Sequence, residues 1–203
     1  MTREIIFIQQ DGPALECLLE RVEGSRAVVV THPHPLYGGD MYNDVVETVS
    51  QAYKRNNFTT MRFNFRGVGR SSGLYDHGAG ERDDVVRALG YLMDLEKSEL
   101  HLAGYSFGAW VNGMALRLTS DVACAVMVSP PVGFLDFDEM EPDERVKLVL
   151  AGSRDDLAPE SMLREACRLW NPQVRLEILN GADHFYGGLL PEVGRIIDEF
   201  LQA

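Results

Sequence analysis

Two periodicities alternate along this chain. Short runs rich in Val, Ile and Leu are separated by longer stretches whose apolar positions lie three or four residues apart, the spacing of one helix face. Strands are expected at residues 4–9, 15–22, 27–31, 59–65, 99–104, 122–128, 146–150 and 174–179, and helices at 43–55, 81–95, 107–118, 160–169 and 192–201. Several strand candidates are apolar without interruption, such as Ala-Val-Val-Val at 27–30, as strands covered on both faces should be. Strands alternating with helices call for a mostly parallel, twisted α/β sheet with helices on both faces. No helix separates the first two strands, and Gln10-Asp-Gly-Pro13 reads as a hairpin turn, so the sheet of about eight strands should open with an antiparallel pair. No repeat, low-complexity tract or linker divides residues 1–203, which are expected to form a single domain. Residues 133–144 are acidic and aperiodic; they read as a solvated loop or as a short flap whose Phe134, Leu135 and Phe137 line a pocket.

Composition narrows the classes of function more than it selects one. The chain has 203 residues, 45% hydrophobic and 25% charged, and a formal net charge of −12. That balance argues against nucleic acid and against anionic membrane surfaces, both of which need clustered Lys and Arg. The three cysteines, Cys17, Cys124 and Cys167, lie far apart and form no C-x-x-C pair, so they read as structural thiols in a reducing compartment. The first residues reach Glu4 before any signal-like apolar stretch, and no run approaches a membrane span. A cytoplasmic protein with a small-molecule substrate is expected, with a homodimer left open.

The candidate chemistry begins at residues 104–108, Gly-Tyr-Ser-Phe-Gly, which follow one apolar strand and precede a helix. A strand-to-helix turn this sharp strains its central residue, leaves no room for a Cβ on either flank and lifts the serine hydroxyl out at the C-terminal edge of the sheet. The helix N-terminus beneath it favours developing negative charge. A serine hydroxyl needs a base to take its proton. Of the five histidines, His101 lies within a strand and His77 in a Gly-rich polar loop, whereas His184 follows the last strand. The third member must be a carboxylate that fixes the imidazole tautomer. Asp155 lies in the loop after strand 146–150, with Asp156 the adjacent alternative and Asp136 a fallback. Ser106, Asp155 and His184 thus fall at three strand ends in the chain order Ser, Asp, His.

The loop after strand 27–31, His-Pro-His-Pro-Leu-Tyr-Gly-Gly, is placed to supply one N–H to an oxyanion, and Phe107, after the serine, the other. Pro33 and Pro35 have no N–H to give, which leaves His34 as the best donor, with Leu36 next. His32 and His34 share the spacing of two metal ligands on an extended chain, but no Cys, Asp or Glu adjoins them. No metal is expected, and His32 reads as an imidazole bonded to a backbone carbonyl. The glycines of residues 65–73 miss the dinucleotide spacing by one, so that stretch reads as a tight loop, with Arg66 and Arg70 holding a carboxylate rather than a substrate anion.

Five segments together carry a resemblance: residues 32–39 (HPHPLYGG), 64–73 (NFRGVGRSSG), 78–84 (GAGERDD), 104–108 (GYSFG) and 181–185 (GADHF). Spread over nearly the whole chain, they make it similar to the compact, lidless bacterial α/β-hydrolases, a group that includes dienelactone-hydrolase-like and peptidase-like members. The resemblance implies the α/β-hydrolase fold, esterase-like activity on small acyl substrates and no cofactor. One departure is that dienelactone hydrolases carry cysteine where this chain has Ser106. Only about 17 residues separate strands 122–128 and 146–150, where larger relatives insert a cap, so a shallow, uncapped site is expected. The expected reaction is hydrolysis of a carboxylic ester or thioester through an acyl-enzyme, with Leu36, Tyr37, Tyr105, Phe134 and Phe185 against the substrate. Acyl transfer or peracid formation by the same residues, and a non-catalytic binding role, stay open.

Overall fold

A computed structural model describes residues 2–203. Its strands are β1 (Thr2–Ile8), β2 (Leu15–Arg21), β3 (Arg26–Thr31), β4 (Thr59–Phe63), β5 (Glu99–Tyr105), β6 (Val122–Val128), β7 (Val146–Gly152) and β8 (Arg175–Leu179). The helices are α1 (Asp44–Arg55), α2 (Ala79–Asp94), α3 (Phe107–Ala115), α4 (Glu160–Trp170) and α5 (Leu190–Leu201). All eight strands form one sheet in the order β1-β2-β4-β3-β5-β6-β7-β8. The expected antiparallel pair β1–β2 is present, and β2 also pairs antiparallel with β4, so β2 alone opposes the other strands. Pairs from β3–β4 to β7–β8 are parallel.

Alternation along each strand divides the core between the two faces. On β3, Ala27 and Val29 point to one side with Leu102, Met127 and Val149, under α2, α3 and α4. Val28 and Val30 point to the other with Ala103, Val126 and Leu150, under α1 and α5. The sequence sets the helix limits in recognisable ways. Asn43 caps α1 by accepting from the N–H groups of Val45 (3.0 Å) and Val46 (3.4 Å), with Asp44 and Glu47 in its first turn and Lys54 and Arg55 in its last. The helix expected at 107–118 ends as α at Ala115 and tightens into a 3-10 turn over Leu116–Leu118.

The Gly-rich segment after β4 is anchored from below. Glu16 accepts from the side chain of Asn64 (2.9 Å) and the N–H of Arg70 (2.8 Å). The Arg66 guanidinium grips Asp84 of α2 through two bonds of 3.1 and 2.8 Å, and Asp84 is buried. Arg66 is therefore spent on the fold, and Arg70 lies over the ring of Phe7 at 4.7 Å. The acidic segment after β6 splits between its two expected roles. Leu135 and Phe137 turn inward, Phe137 stacking on Trp170 at 5.0 Å, and they line a groove against α4, while Phe134 stays exposed. The three cysteines are free and buried, and burial pushes the thiols of Cys17 and Cys124 to about 12 and that of Cys167 to about 11. Among the described residues no helix is long and apolar enough to cross a membrane.

His101, on β5, packs between Tyr53 (ring centroids 5.7 Å) and Phe58 (4.8 Å), and burial, helped by the charge of Arg26, lowers its pKa to about 4. Glu99, 3.9 Å away, does not offset this. His32 is likewise lowered to about 4, chiefly by burial. Both are neutral in the folded chain between about pH 4 and the ordinary value of 6.5, where the unfolded chain binds protons; stability must therefore be lost as pH falls through that window. Urea midpoints should fall between pH 6.5 and 4, and His101→Leu should remove its share of the slope, on the order of 3 kcal/mol. A slope unchanged in that variant would show that His101 titrates normally.

Candidate active site

The C-terminal ends of β3, β5, β7 and β8 bring together residues that lie far apart in the sequence. Ser106, between β5 and α3, sits at φ 55°, ψ −120°, a backbone conformation that L-residues rarely adopt. What enforces it is close packing on both flanks. A Cβ on Gly104 would stand 2.6 Å from the backbone of Gly108 and Ala109, and one on Gly108 would stand 2.6 Å from Oγ1 of Thr31 and 2.7 Å from its backbone. The expected need for both glycines is thus met by β5 and α3 touching each other and by α3 touching β3.

His184 lies in the turn after β8, and its Nε2 is 2.9 Å from Oγ of Ser106. Its Nδ1 is 2.9 Å from both carboxylate oxygens of Asp155, in the turn after β7. An ionised carboxylate only accepts, so Nδ1 carries the proton and Nε2 is left to accept from the serine hydroxyl. Of the neighbouring acids, Asp155 is the one that reaches the imidazole; Asp156 is exposed. Asp136 is exposed too and caps the N–H of Asp138 at 2.7 Å. Two backbone bonds join the Asp155 and His184 turns: Ser153 N–H donates to Leu179 O (3.0 Å) and Arg154 N–H to Ala182 O (2.8 Å). Asp155 Oδ1 also accepts from the N–H groups of Leu157 (3.0 Å) and Ala158 (2.9 Å). Burial opposes its charge, but the hydrogen bond and charge of His184, with help from the Ser129 hydroxyl and the Ala158 N–H, outweigh it and hold the carboxyl below its usual range.

Several residues that support this geometry carry no mark in the sequence. Tyr186 is fully buried at φ 56°, with its hydroxyl 2.8 Å from Oγ of Ser129, which is itself at φ 46° at the end of β6. Non-glycine residues at positive φ, one of them a tyrosine, are held only where the surroundings over-determine them. Tyr105, expected against the substrate, does line the cleft, yet it is buried and its hydroxyl donates to the carbonyl of His184 at 2.8 Å. That bond holds the histidine turn over the serine turn. Burial keeps both phenols far above their ordinary range, so they remain neutral donors.

The proline-flanked loop packs against the serine turn. The His34 ring lies 4.7 Å from that of Phe107 and 5.2 Å from that of Tyr75. Its Nδ1 accepts from Leu36 N–H (3.2 Å), which leaves Nε2–H to donate to the Tyr75 hydroxyl (3.2 Å). Leu36 N–H is thereby occupied, and the backbone N–H groups of His34 and Phe107 have no acceptor among the described residues. His32 accepts from Phe65 N–H at Nε2 (3.0 Å) and so donates from Nδ1 to Pro33 O (2.7 Å). Both its ring nitrogens are committed, as its expected carbonyl bond requires, and no group of three potential metal ligands occurs among the described residues.

Above Ser106 and His184 opens a cleft of about 380 Å³. Tyr37, Gly38 and Gly39 line it on the β3 side, Leu157 and Phe185 on the β7–β8 side. Leu36 and Phe134, also expected against the substrate, lie outside this lining and are exposed. Leu157 and Asn43 were not anticipated; neither has a spacing that distinguishes it from an ordinary loop or cap residue.

Comparison with known proteins agrees with this architecture. A family model described as the alpha/beta hydrolase family matches residues 28–193. A curated protein of Rickettsia prowazekii (strain Madrid E) is 35% identical over 184 residues, covering 85% of this chain and 77% of that protein. The structure of an alpha-beta serine hydrolase homologue from Coxiella burnetii superposes with a TM-score of 0.91 at 33% identity, over 99% of this chain and 98% of that one. An a/b serine hydrolase without lid from Xanthomonas campestris gives 0.89 at 27% identity, over 98% and 94%.

The packing around the serine turn yields a direct test. Gly108→Ala should cost at least about 2 kcal/mol, because the added methyl meets backbone that cannot rotate away. A urea midpoint equal to that of the unmodified chain would show that α3 can back off from β3.

Proposed function

The chain belongs to the alpha/beta hydrolase family, and within it we propose a serine hydrolase that cleaves a small carboxylic ester or thioester through an acyl-enzyme. The observation that carries this reading is the unbroken line from Ser106 Oγ through the His184 imidazole to Asp155, each contact 2.9 Å. Ser106 Oγ attacks the acyl carbonyl while His184 Nε2 takes its proton. The imidazolium so formed is stabilised by the ionised, buried Asp155. Negative charge grows on the carbonyl oxygen, and the free N–H groups of His34 and Phe107 are the donors assigned to it. Collapse expels the alcohol or thiol, which receives the proton from Nε2–H. Water then attacks the acyl-enzyme as His184 Nε2 takes its proton, and collapse breaks the acyl–Oγ bond while Nε2–H returns that proton to Ser106 Oγ, releasing the carboxylic acid and the free serine. The stiff mounting of the His34 loop, between two prolines and against Phe107, is what pre-organised donors require.

A fluorophosphonate probe should label the unmodified chain and leave Ser106→Ala unlabelled, with hydrolysis of short p-nitrophenyl esters reduced at least ~10³-fold in the variant. An unmodified chain that neither labels nor cleaves would defeat the proposal. Asp155→Asn should lower turnover by orders of magnitude, whereas Asp156→Asn should change it less than about threefold. Similar losses in both would mean that the acid has been misassigned.

A further inference from the structure

The lining of the cleft is one-sided in its chemistry. It contains aromatic, aliphatic, glycine and amide groups, together with the imidazoles of His34 and His184, but no Lys, Arg, Asp or Glu. Two of its rings stand largely exposed, Tyr37 at 76% and Phe185 at 72%. Neither ring sits on a loose segment. Tyr37 ends a 3-10 turn (Pro35–Tyr37) capped at its start by the His34 side chain and closed by Gly38 in the left-handed region. Phe185 follows His184 directly, and Asp183 Oδ1 fixes its N–H at 3.0 Å. Rings held out on stiff turns lose little conformational entropy when a flat group covers them.

Carboxylates adjoin this lining along the chain, and none belongs to it. Four carboxylates each flank a lining residue in the chain: Asp40 beside Gly39, Asp44 beside Asn43, Asp156 beside Leu157 and Asp183 beside His184. Among the basic residues, the nearest in sequence to any lining residue is Arg154, three before Leu157 and outside the lining. The chain carries a net charge of −12, which disfavours anions, and the cleft lining offers no Lys or Arg to hold one.

We infer that the site selects neutral or cationic esters bearing a flat aromatic or apolar group that lies against Tyr37 and Phe185, and that it discriminates against anionic ones. This rests on the hydrolase reading above and specifies its substrate class. An anionic acyl or alcohol group would have to shed water in a cleft with no Lys or Arg to compensate it. A flat neutral group gives up little hydration and gains ring contacts instead.

Three acetates of one shape test this: 4-methylphenyl, 4-carboxyphenyl and 4-(trimethylammonio)phenyl acetate, each rate divided by its own hydroxide-catalysed rate. At low ionic strength the carboxylate ester should show a kcat/KM at least ~10-fold below that of the methyl ester, and the gap should narrow as salt screens the field. Equal values, or a gap indifferent to salt, would overturn the inference. Tyr37→Ala and Phe185→Ala, both at exposed positions, should each lower the preference for 4-methylphenyl acetate over methyl acetate about fivefold. An unchanged preference in both variants would likewise overturn it. Binding of the same three aryl esters to Ser106→Ala, followed by saturation-transfer NMR, gives the ranking without turnover. That ranking without turnover in the unmodified chain would support the selectivity and count against the hydrolase reading alone; a carboxylate ester bound as well as the others would count against the selectivity.

Discussion

A serine held at a backbone angle it would not choose organises this molecule. Ser106 keeps φ 55° because α3 begins almost in contact with the strand it leaves and with β3 beside it, at distances that admit no side chain on residues 104 and 108. That packing fixes where the hydroxyl emerges. It also fixes the start of α3, and hence the N–H of Phe107 and the ring on which His34 leans. The same turn anchors the imidazole, since Tyr105, one residue before the serine, bonds the carbonyl of His184. Strain at one residue is thus distributed over four strand ends, and the reactive groups inherit their spacing from the sheet.

Much of this was legible in the sequence because it rests on local pattern. Apolar runs such as 27–30 and 146–150 named their strands, and Gly-Tyr-Ser-Phe-Gly named its turn through the geometry that glycine permits. The order of Ser106, Asp155 and His184 could be read because each follows a separate strand. Choosing Asp155 over Asp156 could not, since adjacent residues differ only in the direction that the turn gives them. The reversal of β2 against β4 was hidden for a similar reason: the pattern of apolar and polar positions along a strand does not record which way its neighbour runs. Ser129, Tyr186 and Tyr75 were silent altogether. Their hydroxyls meet partners 41 or 57 positions away, and no spacing encodes such a meeting.

Buried polar groups around the site show how few degrees of freedom remain. His32 has both ring nitrogens bonded, His34 has both as well, and Asp155 accepts from the imidazole and from two backbone amides. Each has a partner from another part of the chain; turning His32 or Asp155 would leave a buried group unpaired, and turning the half-buried His34 would break its bond to Tyr75. The histidine pattern His32-x-His34, which as sequence resembles a pair of metal ligands, is in three dimensions a brace for the loop. Identical spacing serves two chemistries, and only the partners distinguish them.

The segment joining β6 to β7 bears on how the site meets water. Phe137 folds down onto Trp170, Phe134 stays exposed with its ring 6.4 Å from that of Tyr37, and none of residues 129–145 lines the cleft over Ser106. Among the described residues this segment puts no cap over the cleft above Ser106. Ser106 and His184 are themselves buried, and water reaches an acyl group on the serine through the mouth of the cleft. Water, by sheer abundance, then becomes the default acceptor, and any competing alcohol must bring binding energy of its own to intercept the acyl group.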